Sequence, residues 1–536
     1  MSYYRTFQRA LTNALLIIGL VSTTVAQAQV DTVARGLALA PPTQAQLEAG
    51  GLRAALASSW FARLSKLQRA AARAAAFNPE DAPVATGVTM TVNAATDSSL
   101  QMSYLASANI PLFRFAGGKP TANNSGSGIY FPVSSVAPAT NGNIGSIAPL
   151  PTDASAWGWK AAFGTDSEKV EIRLGTSVGS RFRVSVDGRY VTKALTPGLD
   201  FIAYIVLDFS GVKAPRTITI EASDTNAFRG VSVVANSLIW RPEPDADRIV
   251  VLATGDSYSE GQGATSPGVL AWTQILGRLM GWSDVRQVAV GGTGYLNPAT
   301  GLGRSRIRNQ IPRWLSINSD LTASDVDGIM FAGGYNDYST IGGIDYTPNE
   351  IADEAFYDWK LARAAFPNAL IMVYGPFSGT RGPDQRTRDM ESALAAKYLA
   401  WGDKNSFYIP VSPVPAGNNS DGRTSWFSGN AAQLIFSGAL SGATNGTLAR
   451  SFQGTTASYT IVFSDGSTRS ATLTSGSTAV SWSGAVTATA TAAAYFTARG
   501  TSEYAVSDDR VHPSDAGHSL IARRAASAVR AGLSRL

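Results

Sequence analysis

From residue 248 onward, the chain alternates short, almost wholly apolar runs with stretches of helical spacing. The first such run is Arg248–Thr254, and similar runs follow at 285–290, 328–332, 369–374 and 407–411. Apolar runs without alternation are typical of strands that are buried on both faces, as in a parallel sheet. Helical spacing between and after these runs predicts helices at 269–280, 349–365, 385–401 and from about 514 to the C-terminus. The pattern predicts an α/β domain over 247–536, with helices on both faces of a parallel sheet.

Residues 85–246 show a different pattern, in which apolar and polar residues alternate over short runs. Clear examples are Val170–Leu174, Phe182–Val186, Ile205–Phe209 and Thr217–Ile220, separated by Gly, Asp and Pro turns. Short alternating runs of this kind predict an antiparallel β-sandwich domain.

A stretch at about 425–500 interrupts the α/β pattern and is rich in Ser, Thr, Gly and Ala. The run Tyr459–Phe463, a turn at 464–467 and a second run to Leu473 predict a β-hairpin. We therefore expect a β-rich insertion within the α/β domain. It could shape the rim of a substrate site or be a passive decoration, and both interpretations stay open.

The N-terminal 28 residues have the layout of a secretory signal peptide. Arg5 and Arg9 precede the apolar run 14–21, and small residues at Ala26 and Ala28 follow it. The alternative is a membrane anchor, but the run is shorter than the roughly 20 positions that a spanning helix needs. We expect cleavage after Ala28, a secreted or periplasmic protein, and no membrane span after signal removal.

Residues 29–84 are predicted to form a helical N-terminal segment and linker. Leu52, Leu56, Trp60, Leu64 and Leu67 recur at mostly helical spacing, with basic residues between them. Such a helix could touch a membrane or a polyanion. The favoured interpretation is a helix that packs on the body of the protein through its Leu/Trp face.

Composition excludes several kinds of site. The 536 residues include no cysteine, and the only histidines are His512 and His518. Thiolate nucleophiles, Cys-based metal sites and three-histidine metal sites are therefore impossible. A net charge of +5 is mild for this length and does not indicate nucleic-acid binding. We predict no metal, no cofactor and no nucleic-acid partner.

Candidate catalytic residues stand at the ends of the predicted strands. Ser257, in Gly255-Asp256-Ser257, directly follows the first buried run, where α/β sheets place their sites. A serine hydroxyl needs a base to become a nucleophile, and His512, three residues after Asp509, could serve. Backbone N–H groups of Ser257 and Gly292, with the Asn336 amide, would supply three donors to an oxyanion.

These motifs together resemble the SGNH (GDSL-type) hydrolase superfamily. The match comprises Gly-Asp-Ser at 255–257, the glycine block at 291–294, Gly-x-Asn-Asp at 334–337 and Asp-x-x-His-Pro at 509–513, in the family order. The resemblance implies a flavodoxin-like three-layer α/β/α domain and ester hydrolysis. It also implies the roles of single residues: Ser257 is the nucleophile, His512 the base and Asp509 its orienting acid. Gly292 and Asn336 complete the oxyanion hole with Ser257.

A β-domain ahead of such a catalytic domain also resembles carbohydrate esterases that remove acetyl groups from plant polysaccharides, in which the first module is jelly-roll-like. The sequence thus predicts an exported serine esterase that hydrolyses acyl esters, acetyl above all, on a small ester or an O-acetylated polysaccharide. Three alternatives stay open: a polysaccharide O-acetyltransferase using the same residues, a lipase-type esterase, and a glycan-binding protein without catalysis.

Overall fold

The chain is a mixed α/β protein with several sheets, as the sequence predicts. The computed structural model describes residues 51–122, 128–130, 158–176, 180–223, 226–242, 248–298, 306–317, 320–337, 345–377, 385–412, 433–435, 442–447, 457–463, 467–474, 477–486, 493–496 and 512–536. The predicted signal peptide at 1–28 lies outside these ranges.

A five-stranded parallel sheet organises the described part of the C-terminal half. Its strands are β15 (Val250–Gly255), β16 (Asp284–Gln287), β17 (Val326–Ala332), β18 (Leu370–Tyr374) and β19 (Ser406–Ile409). Their spatial order is β16-β15-β17-β18-β19, which is 2-1-3-4-5 when the strands are counted along the chain. The three central strands, β15, β17 and β18, are buried along their whole length. That burial explains why their sequences read as continuous apolar runs.

Successive side chains of the central strands enter two different hydrophobic cores. Val251 and Ala253 belong to one core, and Val250 and Leu252 to the other. Because side chains alternate across a strand, the two cores lie on opposite faces of the sheet, and each is closed by helices. The helices are α1 (Gly51–Ala76), α2 (Ser257–Glu260), α3 (Pro267–Leu270), α4 (Trp272–Met280), α5 (Ile307–Ile317), α6 (Pro348–Ala365), α7 (Gln385–Trp401) and α8 (Asp515–Leu533).

Strands between residues 89 and 240 form two antiparallel sheets. The first has the order β1-β11-β7-β13-β5-β4, and β2 pairs with β13. The second has the order β10-β8-β12-β6-β14, with β3 paired to β6 and β9 paired to β8. Ile172 of β7 and Ile220 of β12, one from each sheet, are fully buried in the same core. The strands are β1 (Thr89–Asn93), β2 (Met102–Leu105), β3 (Arg114–Ala116), β4 (Thr121–Ala122), β5 (Ile129–Tyr130), β6 (Gly158–Thr165), β7 (Lys169–Thr176), β8 (Arg181–Val186), β9 (Arg189–Tyr190), β10 (Thr196–Pro197), β11 (Phe201–Asp208), β12 (Arg216–Ser223), β13 (Ala227–Val233) and β14 (Ile239–Trp240).

A fourth, antiparallel sheet occupies the predicted insertion, in the order β20-β25-β22-β23-β24-β21. The predicted hairpin is confirmed, because β22 and β23 pair from Ala457↔Leu473 to Val462↔Thr468. The strands are β20 (Gln433–Ile435), β21 (Asn445–Thr447), β22 (Ala457–Phe463), β23 (Thr468–Leu473), β24 (Ala479–Trp482) and β25 (Ala493–Phe496).

Helix α1 packs on the parallel sheet through its Leu/Trp face, in agreement with the favoured interpretation. Trp60, Leu64 and Leu67 are buried in the core that also contains α4 and α8. Lys66 forms an ion pair of 2.9 Å with Asp327, whose carboxylate also accepts the backbone N–H of Val250. The helix thereby supports the starts of strands β15 and β17.

Charged side chains that are mostly buried join the antiparallel sheets to helix α4. Arg278 of α4 lies 2.5 Å from Glu80 and 3.5 Å from Glu221 of β12. Glu221 also pairs with Arg183 at 3.2 Å and Lys160 at 3.0 Å. These cations hold the pKa of Glu221 well below its usual range although the group is buried. The network fixes the β-rich part against the domain that carries Ser257.

Across the described residues, no helix combines the length and the apolarity needed to cross a membrane.

We predict that Glu221→Gln lowers stability by about 3–5 kcal/mol, because the buried guanidinium groups of Arg183 and Arg278 are then left with Glu80 as their one shared countercharge in this network. Thermal unfolding followed by circular dichroism measures this loss as a lower melting temperature. The matched control is Asp200→Asn, which neutralises an exposed carboxylate and should change stability by less than about 0.5 kcal/mol. Equal melting temperatures for the two variants would contradict this role of the network.

Candidate active site

Ser257 is the first residue of helix α2 and follows β15 after a sharp turn. Gly255 has φ +148°, and a Cβ there would collide with the Ala332 carbonyl of the neighbouring strand, so the turn needs glycine. Asp256 is the N-cap of α2, and its carboxylate accepts the backbone N–H of Tyr258 at 3.0 Å. Ser257 is 5% exposed. The turn thus places a nearly buried hydroxyl at the carboxyl edge of the sheet.

His512 meets Ser257 across 255 positions of the chain. Its Nε2 lies 2.8 Å from the Ser257 Oγ, which is a hydrogen-bond distance. The serine donates this bond when Nε2 carries no proton, and that is the arrangement a general base needs. The Tyr258 ring centre lies 5.7 Å from the imidazole and stacks on Phe377 at 5.0 Å, so aromatic rings line this side of the histidine. Asp509 lies outside the described residues.

The glycine block and Asn336 are bonded to each other beside the end of β15. The segment after β16 runs along β15, with Val290 N donating to the Gly255 carbonyl at 3.2 Å. Gly292 follows with φ +78°, in the left-handed region that glycine tolerates best. Asn336 is 5% exposed, and its Nδ2 donates to the Thr293 carbonyl at 2.9 Å. Both predicted oxyanion residues therefore belong to one hydrogen-bonded unit.

Asp337 holds the loop that follows Gly292. Its carboxylate accepts the backbone N–H groups of Tyr295, Leu296 and Asn297 at 2.8, 2.8 and 2.9 Å. Burial raises the pKa of Asp337 to about 6, even though these three hydrogen bonds favour the charged form. The Gly-x-Asn-Asp motif includes this residue, but the sequence alone predicts no role for it.

Gln310 clamps the turn before Ser257 and was missed by the sequence analysis. It lies on α5, accepts the Gly255 N–H at 3.0 Å and donates to the Gly255 carbonyl at 2.7 Å. Its Nε2 also donates to Thr293 Oγ1 at 3.1 Å. A single buried side chain thus joins the serine turn to the glycine block. Helix α5 was not predicted either, since Pro312 lies inside it and proline normally interrupts a helix.

His518 has a different environment from His512. It is fully buried, its Nδ1 accepts the Trp272 N–H at 3.2 Å, and its Nε2 lies 3.1 Å from the Gln262 carbonyl oxygen. Burial lowers the pKa of His518 to about 4, so the ring is neutral at pH 7. Both ring nitrogens of His518 contact backbone groups. His512 is the histidine that contacts Ser257.

The groups brought together here can perform nucleophilic chemistry. A hydroxyl contacts an imidazole, and a glycine-rich backbone and an amide side chain are bonded together at the same sheet edge. Among the residues that the structure describes, no group of three or more His, Asp or Glu side chains could hold a metal ion.

Comparisons with known proteins give structural likeness only. No protein-family model matches the chain, and no curated protein matches it in sequence. Similar solved structures include a family two carbohydrate esterase from Clostridium thermocellum in complex with cellohexaose (TM-score 0.44, 12% identity, covering 79% of this chain and 100% of that one). Another family two carbohydrate esterase, from Cellvibrio japonicus, has TM-score 0.40 and 14% identity over 63% of this chain and 93% of that one.

A candidate GDSL-like lipase from Bacteroides ovatus is also similar, with TM-score 0.34 and 13% identity over 51% of this chain and 79% of that one.

The buried Asp256 should make stability depend on pH. Burial, with smaller contributions from Asp337 and Glu260, raises its pKa from 3.8 to about 7. The folded state therefore holds this proton more tightly than the unfolded state, and stability falls as pH rises from about 4 to about 7. We predict that Asp256→Asn, which keeps a capping oxygen, gains stability relative to the parent over this range, by about 4 kcal/mol in total.

Urea unfolding at pH 4.5 and pH 8 measures the difference between variant and parent. Asp200→Asn, at an exposed site, serves as the control and should show nearly the same difference at both pH values. A difference for Asp256→Asn that does not change with pH would contradict the raised pKa.

Proposed function

We propose that this protein is an exported serine esterase that hydrolyses acyl esters, acetyl above all, on polysaccharides. The observation that carries the proposal is the 2.8 Å contact between Ser257 Oγ and His512 Nε2. A serine hydroxyl hydrogen-bonded to an imidazole is the minimum that acyl transfer to serine requires. Asp509, three positions before His512, is assigned as the acid that orients the imidazole.

The proposed reaction has two halves. His512 Nε2 takes the Ser257 proton while Oγ attacks the ester carbonyl, which forms a tetrahedral oxyanion. The intermediate collapses, and the alcohol leaves with the proton from His512, so that the acyl group stays on Ser257. Water then repeats the attack with His512 as base, the carboxylic acid leaves, and the serine regains its proton.

Gly292, Asn336 and the backbone N–H of Ser257 are assigned to the oxyanion hole. This assignment is supported by the hydrogen bond between Asn336 and the Thr293 carbonyl, which keeps the amide beside the glycine block. The Asp337 and Gln310 contacts hold the same loop and the serine turn rigid, and a rigid donor set needs little reorganisation when charge develops.

The finer architecture is part of the same proposal. The 2-1-3-4-5 strand order, with a core on each face of the sheet, supports a flavodoxin-like α/β/α catalytic domain over 247–536. The shared core of the two antiparallel sheets supports a jelly-roll-like β-sandwich over 85–246. Export is proposed because the N-terminal 28 residues have the layout of a signal peptide. A polysaccharide substrate is proposed because a β-rich domain precedes the catalytic domain, as in the carbohydrate esterases that the sequence resembles.

Ser257→Ala and His512→Ala should each abolish turnover of a chromogenic acetyl ester, because the nucleophile or its base is lost. Removing one member of such a unit typically costs about four to six orders of magnitude in kcat. Ser259→Ala is the matched control, since its hydroxyl lies two residues away and contacts the Ala332 carbonyl at 3.4 Å. The assignment fails if either catalytic variant keeps near-parental activity.

The substrate is tested with acetylated polysaccharide and purified mature protein. We expect release of free acetate, with activity falling as the acyl chain of model esters is lengthened. Acetyl groups that appear on an added sugar acceptor in preference to water would identify a transferase instead. Glycan binding without any ester cleavage would identify a binding protein.

A further inference from the structure

Two sets of hydrogen bonds, one from Asp515 and one from His518, join the start of helix α8 to the chain segment that follows Ser257 and helix α2. This segment, 261–272, begins at the end of α2, where Gly261 and Gln262 both donate backbone N–H bonds to the Ser257 carbonyl at 3.0 Å. On the other side, α8 begins at Asp515, three residues after His512. Any link between the two segments therefore constrains the distance from the serine to the histidine.

Asp515 makes the first link, to Thr265. One carboxylate oxygen accepts the Thr265 backbone N–H at 2.7 Å, and the other accepts the Thr265 hydroxyl at 2.7 Å. Two short bonds from one carboxylate fix direction as well as distance. Ser514 caps α8 by accepting the Gly517 N–H at 3.3 Å, so the turn between His512 and Asp515 is itself held.

His518 makes the second link, one turn further along α8. Its Nδ1 accepts the Trp272 N–H at 3.2 Å, and its Nε2 lies 3.1 Å from the Gln262 carbonyl oxygen. Both bonds form together in only one neutral tautomer, with the proton on Nε2. Because the ring and Trp272 are fully buried, losing the first bond would leave the Trp272 N–H without a partner away from water.

We infer that Asp515 and His518 are positioning residues that hold His512 in register with Ser257. Gln262 is bonded to Ser257 through the backbone and to His518 through its carbonyl, so a short chain of hydrogen bonds connects the nucleophile to α8. The bond between Asp515 and Thr265 is a second connection between the two segments, and it lies nearer to His512 along the chain. A misplacement of about 1 Å can cost about 100-fold in rate, so this register matters to catalysis. The inference rests on the proposed function of Ser257 and His512.

The test compares kcat and KM of five variants on the chromogenic acetyl ester. Asp515→Ala and His518→Ala should lower kcat about 10- to 100-fold and change KM less than about twofold, because substrate contacts stay while the base is displaced. Asp515→Asn keeps one acceptor for Thr265. His518→Asn keeps an acceptor for Trp272, and His518→Gln keeps a donor for Gln262. Each of these three should recover part of the lost kcat.

Val529→Ala is the matched control for simple loss of stability. Val529 is fully buried on the same helix, three turns beyond His518. It should lower the melting temperature and leave kcat within about twofold of the parent, when rates are measured well below every melting temperature.

The outcomes separate the inference from the function it rests on. If Ser257→Ala is inactive while the Asp515 and His518 variants keep parental kcat, the positioning role is wrong and the esterase assignment stands. If Val529→Ala loses as much kcat as His518→Ala at an equal drop in melting temperature, the role is structural and the inference is overturned. If Ser257→Ala stays active, the proposed function itself fails.

Discussion

The hydrogen bond between Ser257 and His512 joins two segments that lie 255 positions apart, so the fold around it must bring both to one place. The parallel sheet does half of this, because the carboxyl end of β15 presents Ser257 at the sheet edge. Helix α8 does the other half, since it packs in the core beside α1 and α4 and starts just after His512. Local sequence cannot supply such a contact; only packing of distant elements can.

The elements that follow from periodicity were largely predictable. The buried strands, the hairpin at Ala457–Leu473 and a last helix preceded by Ser514 all appear, because apolar runs, turn residues and capping residues act locally. Predicted helix 269–280 instead divides into α3 and α4 at Ala271, whose extended backbone (ψ 142°) is not helical. The predicted strand at 285–290 is shorter, ending at Gln287.

Much of the site's support was not predictable, because it depends on which distant groups meet. Gln310 bonds Gly255 from helix α5, which contains Pro312, a residue type that normally interrupts a helix. Asp337 was visible as a motif member, but its three backbone bonds follow from loop geometry. The Asp-x-x-His-Pro motif singles out His512 in the sequence, but the burial of His518 and its two backbone partners appear only in the structure.

The account is tested most directly by trapping the nucleophile. Incubation of the mature protein with a fluorophosphonate, followed by peptide mass spectrometry, reports which serine is activated, since an ordinary surface hydroxyl reacts poorly without a neighbouring base. We expect one phosphonylated site, Ser257, and loss of that labelling when the His512 imidazole is removed. Labelling at another serine, or unchanged labelling of Ser257 without the imidazole, would contradict it.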